Sequence, residues 1–142
     1  IRLKKEGDSL FTPIDRGLSG GEQALALISV AMLPKDRPLI VDQPEDELGP
    51  ALITGDLVEQ IRRVKPRRQM IFVTHIPNIP VLADSEQIIY VEQKIISDDE
   101  KHTKVRNCGS LDNLGIIKRL LELDGGKAAF DKRQKRYLRV VI

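Results

Sequence analysis

The sequence predicts an α/β fold with a mainly parallel sheet, flanking helices and a small β-hairpin. Three observations predict it. Short apolar runs at Pro38–Asp42, Gln69–His75 and Gln87–Glu92 have the length of strands and are nearly continuous rather than alternating, as in a sheet buried on both faces. A helical apolar rhythm fills about Ala51 to Val64, between the first two runs. Beyond the third run, Lys94 to Val105 reads as a hairpin with Ser97-Asp98-Asp99-Glu100 at its tip. The order strand, helix, strand, helix, strand is that of a parallel α/β sheet.

Ile1 to Phe11 holds two short β-like runs around a Gly7-Asp8 turn, which predicts a strand or hairpin edge. Thr12-Pro13 to Arg16-Gly17 reads as a loop. From Ser19 to about Leu33, apolar residues from Ala24 onward run almost all the way round a helix, which predicts burial on most sides. Pro34 and Pro38 bracket its exit. Gln43 to Pro50 is a polar loop. The helix of about Ala51 to Val64 turns Leu52, Leu57, Val58 and Ile61 inward, and Gly55 weakens it. Lys65-Pro66-Arg67-Arg68 is a connector. Pro77 and Pro80 keep any helix in Ile76 to Ala83 short. Leu111 or Asp112 to Leu123 is an amphipathic helix, with Leu114, Ile117, Leu120 and Leu121 inward. Gly125-Gly126 break it, and Lys127 to Arg139 form a last, basic helix. No repeat or low-complexity linker interrupts residues 1–142, which read as part of one domain.

Apolar content of 41% and charged content of 31% are those of a soluble globular domain. A net charge of +2 gives no argument for nucleic acid. The single cysteine, Cys108, excludes an internal disulfide and fits a reducing, cytoplasmic setting. No apolar run reaches the roughly 20 residues of a membrane helix, so no membrane partner is expected, and no signal-peptide pattern is present. The chain opens at Ile1, mid-strand by pattern, and we expect the C-terminal part of a longer protein.

Leu18-Ser19-Gly20-Gly21-Glu22-Gln23 stands directly before the first helix. Ser19 and Glu22 have the spacing of a capping box, in which the Ser oxygen accepts from the N–H three residues on and the Glu reaches back. Gly20 and Gly21 leave the first turn without side chains, so another surface can approach its backbone. A helix start with free N–H groups and a positive dipole end suits a phosphate. A lone Ser-Gly-Gly reads as a plain N-cap. The whole hexapeptide resembles the signature loop of ABC-type ATPases. That resemblance implies that Ser19, Gly20, Gly21, Glu22 and Gln23 close over the γ-phosphate of ATP bound to a second subunit, with a homodimer as the partner arrangement.

Asp42 ends its apolar run 23 residues after Ser19, with Pro44 two residues further on. A carboxylate at the C-terminal edge of a parallel sheet can hold Mg²⁺ beside triphosphate oxygens, and this run resembles a Walker B strand. Gln43 stands where most ABC-type ATPases carry a water-polarising Glu. Glutamine can orient water but cannot take a proton. Asp42-Gln43-Pro44-Glu45-Asp46 resembles the same stretch in relatives associated with DNA repair and phage defence. Either Glu45 or Asp46 supplies the acid, or hydrolysis is slow, substrate-assisted or switched by a partner. Our reading takes Gln43 as the water-orienting residue with Glu45 in support. Asp46-Glu47-Leu48-Gly49 falls at the family's D-loop but ends in Gly49 rather than Asp. Glu47 replaces that contact, or the loop is structural. Thr74-His75 at a strand end resembles the family's switch histidine, which contacts the γ-phosphate. His102 lies in a charged hairpin and reads as surface.

No G-x-x-x-x-G-K-[ST] occurs among the 142 residues; the nearest echo, Gly126-Lys127-Ala128, lacks both the first Gly and the hydroxyl. The resemblance therefore implies a Walker A lobe elsewhere, upstream in the same protein or in another chain. The tail carries Lys127, Lys132, Arg133, Lys135, Arg136 and Arg139 against one acid, Asp131. It reads either as a solvated helix with Phe130, Tyr137 and Leu138 packed inward, or as a tracker of DNA or RNA phosphates with Tyr137 stacking on a base. Gly125-Gly126-Lys127, Ala129-Phe130, Arg133 and Tyr137 are similar to the C-terminus of TrlF-type ATPases. Most of the chain, from Arg16 to Tyr137, resembles the C-terminal lobe of a P-loop NTPase head from the SMC, RecF and RecN side of the ABC-type superfamily. The implied activity is ATP hydrolysis with ATP sandwiched between two subunits, coupled to DNA or RNA processing, repair or phage defence. Its rivals are a non-hydrolysing ATP-gated clamp, motivated by Gln43, and a nucleic-acid-binding module built on the basic tail.

Overall fold

A computed structural model describes residues 2–3, 12–13, 17–33, 36–97 and 100–138, with 2–3, 12–13, 94–97 and 100–101 described by backbone alone. The turn expected at Gly7-Asp8, Pro34, the hairpin tip at Asp98-Asp99 and Arg139 lie outside the described residues. The chain divides into two units, residues 1–83 and 84–142, each taken by itself.

In the first unit, β1 (Arg2–Leu3) pairs antiparallel with β2 (Thr12–Pro13), so Thr12-Pro13 is a strand edge rather than a loop. Helix α1 (Gly20–Ala31) starts at Ser19 with the capping box closed in both directions. Leu25 and Ala26 are its buried side, joined by Met32 just past its end, whereas Leu27, Val30 and Leu33 are exposed. This corrects the expectation of burial on most sides: apolar residues encircle the helix, but only one face is covered. At its far end the buried guanidinium of Arg68 donates to the carbonyls of Ala31 (2.5 Å), Leu33 (3.0 Å) and Arg37 (2.8 Å). The Ala31 carbonyl is one that the helix terminus leaves without an intrahelical partner; those of Leu33 and Arg37 lie in the segment that follows it.

Strands β3 (Leu39–Asp42) and β4 (Met70–Val73) pair in parallel, with Leu39 opposite Met70 and Asp42 opposite Val73. Residues 50–64 join them as a helix in three parts: α2 (Pro50–Leu52), a π-helical turn (Ile53–Leu57) and α3 (Val58–Val64). Ile53, Leu57, Val58 and Ile61 are buried, close to the expected inward set. The core gathers Leu25, Met32, Leu48, Ile53, Leu57 and Ile61 with Ile79 and Ala83. Burying each of the Leu, Ile and Met side chains contributes roughly 1.5–3 kcal/mol. Leu39, Met70 and Phe72 pack on this core from one face of the strand pair; Ile40, Ile71 and Val73, on the other face, are exposed. Helix α4 (Asn78–Leu82) is short, as the prolines require; Pro80 fits because its missing N–H falls in the first turn.

In the second unit, β5 (Ile88–Ser97) and β6 (Glu100–Gly109) form an antiparallel hairpin. Gln87–Glu92 is therefore not a third parallel strand. It opens the first strand of a hairpin longer than the expected Lys94–Val105, and among the described residues the parallel pairing is confined to β3 and β4. Helix α5 (Leu114–Leu123) is capped by the Asn113 side chain, which accepts from Gly115 N (2.8 Å) and Ile116 N (3.3 Å). Its inward residue is Ile116, fully buried, while Leu114 is 82% exposed and Ile117 is also exposed. Leu120 and Leu121 of the expected face are half-buried, but Leu114 and Ile117 were misplaced, because the contact with the hairpin sits around Gly115 and Arg119. A Cβ at Gly115 would stand 2.8 Å from Asn107 Nδ2. Arg119 lies 5.3 Å over the Tyr90 ring and donates to Asn107 Oδ1 (3.2 Å). Gly125 and Gly126 take φ of 91° and 83°, ending α5 as read, and α6 (Gly126–Tyr137) follows. Arg133 of α6 pairs with Asp124, and Phe130, Tyr137 and Leu138 are exposed rather than packed.

Candidate functional site at the C-terminal edge of the parallel strands

Parallel pairing decides where the candidate residues stand. Asp42 ends β3 opposite Val73, and His75 lies two residues beyond Val73, so both leave the same edge of the pair. The ladder runs one step past Asp42, with Gln43 N donating to Val73 O at 2.8 Å. Gln43 itself takes a left-handed conformation, φ 44° and ψ 57°. For a side chain with a Cβ that costs on the order of 1–3 kcal/mol, and the Pro that follows disfavours the right-handed alternative. The strain turns the chain sharply from the strand into a 3₁₀ turn, Pro44–Asp46.

That turn drives Glu45 inward. Its Oε1 accepts from Thr74 Oγ1 (2.6 Å), from the His75 backbone N–H (2.8 Å) and lies 2.9 Å from His75 Nδ1. The Glu45 side chain is 2% exposed and that of His75 63%. Ile76 N donates to Thr74 Oγ1 (3.1 Å), which occupies the hydroxyl as acceptor and sends its proton to Glu45. The other carboxylate oxygen, Oε2, is buried without a partner among the described residues. Burial pushes the Glu45 carboxyl up, but the Thr74 hydroxyl, the His75 and Glu45 N–H groups and the His75 charge outweigh it and hold the group below the usual carboxylate range. Glu45 is thus an ionised, sequestered anion attached to the histidine, not an exposed acid.

The glycine-bearing tip of α1 is built as expected. Ser19 N donates to Glu22 Oε2 (2.8 Å), and Glu22 N donates to Ser19 Oγ (3.3 Å). Gln23 Nε2 donates to Leu18 O (3.1 Å), so its side chain ties down the entry of the helix. The two glycines differ. A Cβ at Gly21 would lie 3.1 Å from Glu47 O and 3.2 Å from Leu52 Cδ1, whereas one at Gly20 meets nothing within 4 Å. Gly21 is used inside the molecule, to seat the tip on the segment that follows the 3₁₀ turn. Gly20 opens outward.

Asp42, Glu45 and His75 are thus gathered at one edge, with Gln43 between them. Thr74 is the residue whose role the sequence reading missed. The only signal was a hydroxyl at the end of the strand that runs parallel to the one feeding Glu45. Among the described residues no group of three or more His, Cys, Asp or Glu could by itself hold a metal. The exposed Asp42 carboxylate nevertheless suits Mg²⁺, which keeps several waters and takes one or two carboxylates plus substrate phosphates. No helix among the described residues is long and apolar enough to cross a membrane. No protein-family model matches the chain, and neither does any curated protein.

Proposed function

We propose that the chain is the C-terminal lobe of an ABC-type ATPase head that hydrolyses Mg-ATP held between two subunits. The observation that carries this reading is the shared strand edge: Asp42 and His75 emerge side by side from parallel strands, and Glu45 ties the histidine there. In this reading Asp42 holds Mg²⁺, which neutralises charge on the triphosphate. Gln43 orients the attacking water, and His75 stands at the reacting phosphate. Ser19 and the open backbone at Gly20 receive the γ-phosphate of nucleotide on the partner subunit. The β-phosphate cradle comes from a Walker A lobe outside the 142 residues. Coupling to DNA or RNA work, and a homodimeric pairing, belong to the same proposal.

The test is phosphate release from Mg-ATP by the protein carrying both lobes, with Asp42→Asn as the comparison. We expect a loss of about 10²-fold or more, since one carboxylate that anchors the transition-state charge contributes several kcal/mol. Equal rates in the two proteins, or no Mg-dependent release at all, would refute the proposal.

A further inference from the structure

The positive charge of the chain is concentrated in its last helix. The 142 residues carry 23 Lys and Arg against 21 Asp and Glu, whereas α6 alone carries five against one. Elsewhere exposed arginines are matched to acids: Arg63 to Glu59, Arg106 to Glu92 and Arg119 to Glu122. On α6, Arg133 reaches back to Asp124, but Lys127, Lys132, Lys135 and Arg136 have no ion pair among the described residues. The helix dipole accounts for Lys135 and Arg136, which stand in the last turn. It does not account for Lys132. Lys132 and Arg136, four residues apart, set like charges on one face, which works against a helix in water.

The sequence allows two readings of this tail, a solvated helix packed through Phe130, Tyr137 and Leu138, or a tracker of nucleic-acid phosphates. The first needs those three side chains covered, and all three are exposed, Tyr137 by 64%. No residue of α6 is buried. Lys132, Arg133, Arg136 and Tyr137 instead line a shallow hollow with Ala129. An aromatic ring set among cations suits a surface that stacks a base while it holds the phosphates of the strand. A helix that lies in a membrane surface differs, because it keeps its apolar residues on one face and its cations on the other. Here Phe130, Arg133 and Tyr137, spaced three and four apart, share a face. We propose that this face of α6 binds single-stranded nucleic acid, with Lys132 and Arg136 on phosphates and Tyr137 stacked on a base. The surface deepens the DNA or RNA part of the function proposed above and rests on it for what the contact serves. The contact itself uses no ATP and no residue of the first unit.

Fluorescence anisotropy tests it on the 142-residue chain, with a fluorescein-labelled oligodeoxythymidine of about 20 nucleotides, longer than the stretch one small domain spans. We expect binding that weakens steeply with salt. Lys132→Ala with Arg136→Ala should lower the magnitude of the log–log salt slope by about 1.4, at roughly 0.7 per phosphate contact on a single strand. Tyr137→Ala should weaken binding about 5- to 100-fold, the worth of one stacked base, and leave the slope alone. All three side chains are exposed, so the fold survives their removal. Arg62→Ala with Arg67→Ala removes the same charge from exposed positions of the first unit and should change affinity little. Equal losses in the two double variants would show attraction to the charge of the chain at large and overturn the proposal. So would no binding at about 50 mM salt, full affinity in Tyr137→Ala, or binding to phosphatidylserine vesicles in place of the oligonucleotide. Absence of ATP hydrolysis by the protein carrying both lobes refutes instead the function proposed above and leaves this face as it is.

Discussion

Glu45 shows how far a single residue's role depends on its surroundings. Next to a Walker B-like Asp it reads as a catalytic acid or as support for Gln43; in the fold it is buried and receives Thr74 and His75. That placement makes stability depend on acid. Its carboxyl is held below its ordinary value of 4.5, so the unfolded chain takes up the proton first. The stabilisation is present above that value and drains away as pH falls through the lower, folded value, at up to about 1.4 kcal/mol per pH unit for one group. We expect Glu45→Gln to flatten the acid limb of a urea-midpoint against pH profile; an unchanged limb would show that another group governs it. The glycines of the α1 tip separate in the same way. Gly21→Ala presses a methyl against the Glu47 carbonyl and should destabilise by about 1–3 kcal/mol. Gly20→Ala has room, so urea unfolding should show stability level or raised by roughly 0.4–1 kcal/mol. Sedimentation in Mg-ATP should show that the same change blocks dimerisation of the two-lobe protein, if the tip receives a partner's phosphate. The capping box was legible because its partners are three residues apart. The Glu45–Thr74 contact spans 29 residues and needed the parallel register to exist.

At the scale of elements, the strands at 39–42 and 70–73 and the helix between them were legible because length and apolar content suffice to mark them. Which side of an element is covered was not. Helix α5 carries Leu114, Ile116, Ile117, Leu120, Leu121 and Leu123, an apolar band so broad that periodicity allows more than one inward face. The choice is made by Gly115 and Arg119, one giving way to Asn107 and the other lying over Tyr90. Ile116→Ala should therefore cost about 2–5 kcal/mol, while Leu114→Ala should stay within about 0.5 kcal/mol. Equal losses in thermal unfolding would mean that the helix turns the other way. The third apolar run failed for a related reason: Gln87–Glu92 has the composition of a buried parallel strand, but its partner follows it in the chain, and a local hairpin needs no crossover. The π-helical turn at Ile53–Leu57 has no counterpart in any sequence rule applied to that helix.

At the scale of the whole molecule, the division at residues 83 and 84 was hidden because no Gly- or Ser-rich linker marks it; only Asp84, left-handed at φ 54°, stands at the junction. The first unit collects the groups that would meet nucleotide, yet each offers a single kind of contact. Asp42 presents one carboxylate, His75 one ring and the α1 tip one open turn. None of them wraps a β-phosphate with successive backbone N–H groups, as a P-loop does, and the G-x-x-x-x-G-K-[ST] motif of such a loop is absent from the sequence. The tip, moreover, is proposed to serve nucleotide held by another subunit, so it adds nothing to capture by one copy. Contacts made singly, in water, sum to little against the cost of immobilising a ligand. We therefore expect calorimetric titration of the 142-residue chain with Mg-ATP to give a Kd weaker than about 1 mM. Tight binding should return when a Walker A lobe is joined to it, and the gain should then depend on Asp42. Micromolar binding by the 142 residues alone would mean that they contain a complete nucleotide site of another design, and the division of the site between lobes would have to be abandoned.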